Sequence, residues 1–245
     1  SEVNFNYTEA NSWQYSFFVP HDISGLINLH GGSVLFNQKL NELFNSNSTI
    51  EGRKQADITG LIGQYAHGNE PSHHMAYLYN SSGRPEKSQF MVNKILNELY
   101  HSSPSGISGN EDCGQMSSWY VLSVIGLYDI NPGDPYYIIQ TQYIEESSLN
   151  LENGKVFSVK KIESGGENSI YIKKVELNGR PYNKNYIHIN DVIQGGELQI
   201  YTTSDSSKKW MLDEFYSSFI KNDVITINPV IIAPSKTFHD SLTIS

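Results

Sequence analysis

A single cysteine, Cys113, stands in 245 residues. That excludes an intrachain disulfide framework and a cysteine-based zinc site. Basic residues are scarce, 17 Lys and Arg against 26 Asp and Glu, for a net charge of −9. An acidic chain has no basic face to offer a nucleic-acid backbone, so nucleic acid is not an expected partner. No run of ~18 apolar residues occurs, so no membrane span is expected. The opening, Ser1 to Thr8, is polar and is not expected to be a signal peptide. It reads as the middle of a fold, and the chain is expected to be a piece of a longer protein. What is present is an apolar content of 38%, too high for a disordered chain and enough for one large domain or two small ones.

The pattern changes near Asn131-Pro132-Gly133-Asp134-Pro135. Before it, apolar residues recur at helical spacing. Phe36, Leu40, Leu43 and Phe44 form one face, with Ser33 as the expected cap. Met91, Ile95, Leu96 and Leu99 form another, with Pro85 in a first turn. Gln115 to Tyr128 is apolar almost all round and reads as a buried helix. Glu9 to Phe18, ended by Pro20, and Pro71 to Tyr79 read as shorter helices. After the change come short alternating runs: Tyr136 to Ile139, Leu149 to Leu151, Val156 to Val159, Ile170 to Leu177, and Leu198, Ile200 and Thr202. Asn153-Gly154 and Asn178-Gly179 are hairpin signals. Val230 to Ile232 and Leu242 to Ile244 are expected closing strands. The expectation is an α+β chain, helical over 1–135, with a small antiparallel β module over 136–245. No site-like cluster of polar residues marks the β module, which reads as a structural brace.

The chemistry-bearing residues gather in three strings: Thr8 to Tyr15, His67 to His74 and Gly109 to Gln115. Asp112 and Glu111 precede a helix start. Asp112 reads either as a cap accepting backbone N–H bonds or as a carboxylate of low pKa able to activate water or bind a hard metal. Asn69 and Glu70 either cap the turn at Pro71 or offer hard oxygens to Ca²⁺. His73-His74 is a poor zinc pair, because adjacent helical residues point apart and no HxxxH or HExxH spacing occurs. Glu9 has Trp13 four residues on. That is either an ordinary helix face or a carboxyl beside aromatic surface, a setting that keeps an acid protonated near neutrality. Two carboxyls in different settings, with aromatics on a helical scaffold, point to glycoside hydrolysis.

The strings YTEANSWQYSFFVPHD, GLIGQYAHGNEPSHHMAYLYN and GNEDCGQMSSWYVLSVIGLYDINPGDPYY resemble the catalytic part of glycoside hydrolase family 92. NLENGK, VELNGRPYNKNYI and APSKTFHDS are similar to that family's C-terminal end. The resemblance covers nearly the whole chain. It implies a Ca²⁺-dependent, exo-acting, inverting α-mannosidase, built as an N-terminal β-sandwich before an (α/α)6 barrel. This chain corresponds to the last third, with part of that barrel. It implies that Glu9 is the general acid and Asp112 the general base. Asn69, Glu70 and Gln14 are the implied Ca²⁺ ligands, with Trp13, His73, His74, Asn110 and Glu111 lining the substrate. Asn110 stands where some members carry a second aspartate. The loop Asn45 to Gln55 is expected against the leaving group. Implied partners are α-mannoside glycans and the missing N-terminal part of the parent. The implied location is secreted or periplasmic, with any signal peptide in the missing N-terminus, and the fragment is expected to be inactive alone. The alternative is a noncatalytic carbohydrate-binding module that stacks sugars on Trp13, Trp119 and the tyrosines.

Overall fold

A computed structural model describes residues 2–163, 169–208 and 210–220. The expected strands at 230–232 and 242–244 lie outside the described residues. Seven helices are described: α1 Ser12–Tyr15, α2 Ile23–Leu29, α3 Ser33–Asn45, α4 Leu78–Ser81, α5 Pro85–Glu98, α6 Gln115–Ile125 and α7 Ile189–Ile193. The strands are β1 Glu2–Val3, β2 Glu51–Gly52, β3 Leu61–Ile62, β4 Tyr65–Ala66, β5 Leu127–Tyr128, β6 Tyr136–Ile139, β7 Glu146–Asn150, β8 Val156–Glu163, β9 Tyr171–Leu177, β10 Arg180–Pro181, β11 Tyr186–His188 and β12 Gly196–Thr203.

The two strongest helical periods form as expected. α3 buries Phe36, Leu40, Leu43 and Phe44, and α5 buries Met91, Ile95 and Leu96 with Pro85 in its first turn. Gly32, not Ser33, caps α3, with no side-chain bond. The expected helix from Glu9 shrinks to α1. Asn11 starts it through a capping box with Gln14, so Glu9 lies outside. The segment around Pro71 forms two 3₁₀ turns, Glu70–Ser72 and Met75–Tyr77, before α4. α6 stops at Ile125 because Gly126 takes the left-handed C-cap conformation, and Leu127 then enters a strand. Nor is α6 buried all round. It buries Met116, Trp119, Ser123 and Val124 and exposes Tyr120 and Val121.

The β region departs from the expected antiparallel module. Its larger sheet has the order β10-β9-β12-β8-β7, and β12 runs parallel to β8 while pairing antiparallel with β9. Residues 164–195, which include β9 through α7, separate the two parallel strands. A parallel pair requires such a crossover; a tight hairpin cannot make one. Both hairpin signals hold, at the β7–β8 turn and at β9–β10, where Asn178 and Gly179 both have positive φ.

Two apolar clusters carry the fold. One gathers the helices around Trp119, Phe36 and Ile95; the other lies between the large sheet and α7. The small sheet β11-β6-β5 joins them. Alternate strand residues face opposite sides. Tyr128 and Ile138 accordingly enter the helical cluster, and Leu127 and Ile139 the sheet cluster.

Candidate active site

Three glycines let three loops meet at backbone distance. A Cβ on Gly68 would lie 2.0 Å from Thr59 Oγ1 and 3.0 Å from the Ser108 carbonyl. One on Gly109 would lie 2.9 Å from Thr59 Oγ1, and one on Gly60 2.7 Å from the Ser108 side chain. Only glycine permits that approach. The consequence is that Asp57, Asn69-Glu70 and Asn110 to Asp112 are delivered side by side. The Asn110 amide donates to Asp57 Oδ1 at 3.3 Å. The Thr8 to Tyr15 string joins from the other side, where Asn69 Nδ2 donates to the Glu9 carbonyl at 2.8 Å. The four loops thus form one surface.

Asp112, Cys113 and Gly114 take three successive left-handed conformations, φ 51°, 57° and 94°. Such backbone is costly for residues with a Cβ, and Asp112 meets the helix through its carbonyl, which accepts from Gln115 N at 3.2 Å. Gly114 becomes the N-cap of α6 without a side-chain bond, and Glu111 reaches over to accept from Ser117 N at 3.0 Å. Side-chain capping therefore falls to Glu111, and the Asp112 carboxylate does not cap. Asp112 is exposed and faces carboxylates. Its pKa is pushed up from the ordinary value, first by loss of surrounding water, then by the charges of Glu70 and Asp57, by hydrogen bonding to Glu70 and by Glu111. The low pKa expected from a helix N-terminus is overturned, first by lost hydration and then by the negative charges beside it. A raised value suits a general base, whose strength is best matched to a working pH near neutrality.

Glu9 is exposed at a positive φ of 54°. Trp13 lies on α1, with Lys39 Nζ 4.2 Å from its ring centroid, so that face is already covered. Gln14 is 2% exposed. Its Oε1 accepts from Asn11 N at 2.7 Å and its Nε2 donates to the Gln64 carbonyl at 2.6 Å. Gln14, the expected metal ligand, thus bonds within the fold through both atoms of its amide. The loop after α3 is tied at its base, where Gln64 Nε2 donates to the Asn47 carbonyl and β1 pairs with β2.

His73 and His74, expected against substrate, are buried. His73 Nε2–H donates to the His67 carbonyl at 2.9 Å, and its Nδ1 accepts from Gln115 Nε2 at 3.2 Å. Burial lowers its pKa. His74 donates to the Phe17 carbonyl at 2.7 Å, and burial lowers its pKa to about 4. His67 lies between two tyrosines, 2.7 Å from Tyr65 and 2.6 Å from Tyr100. The Tyr100 hydroxyl donates to the Met116 carbonyl at 3.1 Å. Tyr100 therefore accepts from Nε2–H, and Tyr65 donates to Nδ1. Trp119, offered by the binding-module reading as a sugar platform, is 0% exposed and donates Nε1–H to the His73 carbonyl. These aromatics and histidines form the floor under the carboxylate loops.

Asp57 is a residue of this surface that sequence reasoning missed. Asp57 carries no signal in its surroundings, Gln-Ala-Asp-Ile-Thr-Gly, and only the fold places it beside Asp112.

The donor set fits a hard cation better than zinc. Glu70 and Asp112 bring two carboxylates into contact, an unfavourable arrangement unless a proton or cation intervenes. Asn69 keeps its amide oxygen as an acceptor while its nitrogen holds Glu9. Among the described residues no three His, Cys, Asp or Glu side chains gather as a metal site. Asn69 and Glu70 would therefore be two members of a larger set. No helix among the described residues is long and apolar enough to cross a membrane.

Comparison with known proteins gives a consistent result. The glycosyl hydrolase family 92 catalytic domain matches residues 1–204. A protein of Arthroderma benhamiae named an uncharacterized secreted glycosidase is 33% identical over 205 residues, 82% of this chain and 24% of its own. A family GH92 α-mannosidase of Bacteroides thetaiotaomicron, solved in complex with mannoimidazole, superposes with a TM-score of 0.73 at 35% identity, covering 80% of this chain and 26% of its own. A family GH92 inverting mannosidase of the same species gives 0.73 at 33% identity, covering 87% and 30%. The chain thus spans about a quarter to a third of the length of these relatives.

Proposed function

This chain belongs to glycosyl hydrolase family 92, and from that premise we propose that the whole protein is an exo-acting α-mannosidase. It releases mannose with inversion of configuration and requires Ca²⁺. The chain contributes the last part of an (α/α)6 barrel, and the protein is secreted or periplasmic. The observation that carries this reading is the meeting of the Glu9, Asn69-Glu70 and Asp112 loops on one surface.

In this reading Glu9 is the general acid that protonates the leaving oxygen. Asp112, its pKa raised by lost hydration and by its acidic neighbours, is the general base that takes a proton from water. Asn69 and Glu70 hold Ca²⁺ together with groups outside this chain. When bound, the ion supplies coordination of sugar hydroxyls and favours ring distortion. Asn110 fixes Asp57 beside the base. A one-step inverting displacement needs room for water, so the Glu9 and Asp112 carboxyls are expected roughly 6.5–9.5 Å apart in the substrate complex.

The test is mannose release from linkage-defined α-mannosides by the whole protein, with and without chelator, the anomer followed by NMR. We expect reversible loss on chelation, an inverted first product, and loss of most activity in Asp112→Ala without unfolding. The 245-residue chain alone is expected to be inactive. Retained configuration would overturn the mechanism, and full activity after exhaustive chelation would overturn the metal.

A further inference from the structure

A second candidate site lies away from these loops. A cavity of about 470 Å³ opens between α3, α5 and the start of β9. In a chain of net charge −9, three cations line it: Arg84, Lys87 and Lys94. One carboxylate, Glu86, stands among the lining residues and pairs with Arg84. Lys94 pairs with Glu98 from the outer face of α5. Lys87 has no ion pair among the described residues. Its ammonium donates to Asn41 Oδ1 at 2.8 Å, an oxygen that also accepts from the Tyr79 hydroxyl at 3.0 Å. An ammonium has three N–H donors, and this bond uses one. Burial first, and then the nearby Arg84 charge, lower the Lys87 pKa, and Glu86 offsets them only in part.

The rest of the wall is of a different kind. Phe90, 48% exposed, and Tyr171 present aromatic surface, Asn45 adds an amide, and the buried Tyr79 ring lies 5.7 Å from the Lys87 ammonium. Aromatic faces with interspersed amides suit a saccharide ring, whose C–H faces are apolar and whose edges are hydroxyls. Strong hydrogen bonds from cations suit a tetrahedral oxyanion. We propose that this cavity binds a sugar bearing a phosphate or sulfate group. The anion sits at Lys87 between Arg84 and Lys94, and the ring lies against the aromatic wall.

None of Glu9, Asn69, Glu70 and Asp112 lines this cavity, so its test can succeed or fail independently of the proposed active site. The whole protein is titrated calorimetrically with glucose 6-phosphate, glucose and inorganic phosphate. Glucose derivatives keep the mannose site out of the readout. Glucose 6-phosphate is expected to bind roughly tenfold tighter than either component, and the binding to weaken about tenfold in Lys87→Met. Raising NaCl from about 50 to 500 mM is expected to weaken it as well. Mannose release by Lys87→Met stays unchanged. Should that variant fold poorly, Lys94→Gln, whose side chain is part-exposed, carries the same expectation. Inorganic phosphate binding as tightly as the sugar phosphate would overturn saccharide recognition. Absent binding, or binding indifferent to both substitutions, would overturn the site.

Discussion

His74 spends its buried life neutral, donating one proton to the Phe17 carbonyl with a pKa near 4. In the unfolded chain the same imidazole titrates near 6.5. The unfolded state therefore binds more protons between those values, and stability falls as pH drops through that window. His67 and His73 shift in the same direction. For His74 alone the loss reaches about 3 kcal/mol at pH 4 relative to neutrality. Urea unfolding at pH 7 and pH 4.5 should show most of that loss, and His74→Gln, which keeps an amide donor, should reduce it. An unchanged slope in the variant would refute the assignment. At this scale the sequence is half legible. The histidines and carboxylates stand out as strings, but adjacent residues such as Glu111 and Asp112 cannot be told apart by spacing. The left-handed run at 112–114 decides which one caps, and no pattern announces it.

Gly68 shows how an element, here a loop, is held to its neighbours. A methyl group there would meet Thr59 Oγ1 at 2.0 Å and the Ser108 carbonyl at 3.0 Å. Gly68→Ala is expected to cost about 1–3 kcal/mol and to separate the Asp57 loop from the Asn69 loop. Thr59→Ala removes the oxygen in the way, an oxygen that is buried without a partner. The double variant should recover part of the stability, read as a coupling energy in thermal melts; strict additivity would show the clash to be misplaced. Elements with strong local codes were readable in advance. α3 and α5 follow their apolar period, and both Asn-Gly hairpins follow turn chemistry. α2 was not readable, being seven residues with an internal glycine and no broad apolar stripe. The insertion of β12 between β8 and β9 was not readable either, since β-ladder partners far apart in sequence leave no local mark.

Across the molecule, the helical face formed by α2 and the start of α3 leaves Leu29, Val34 and Leu35 at 87%, 73% and 52% exposure. Apolar residues grouped on one face favour association. The purified 245-residue chain is expected to self-associate with rising concentration, and Val34→Asp with Leu35→Lys to reduce it, as sedimentation velocity would reveal. A monomer at all concentrations would contradict this. Family membership was legible because the strings around Glu9, Asn69 and Asp112 are long and unusual. The cavity beside Lys87 was not, because α3, α5 and β9 supply it from distant positions. Strand β6 has a consequence of another kind. Ile138 and Ile139 are neighbours in the chain yet belong to different cores, as do Leu127 and Tyr128 on β5. The two halves thus share a seam stitched residue by residue. A recombination that exchanged the sheet-bearing half with a cousin's at residue 135 would part Tyr128 from Ile138 and Leu127 from Ile139. Inheritance across that seam requires both sides to change together.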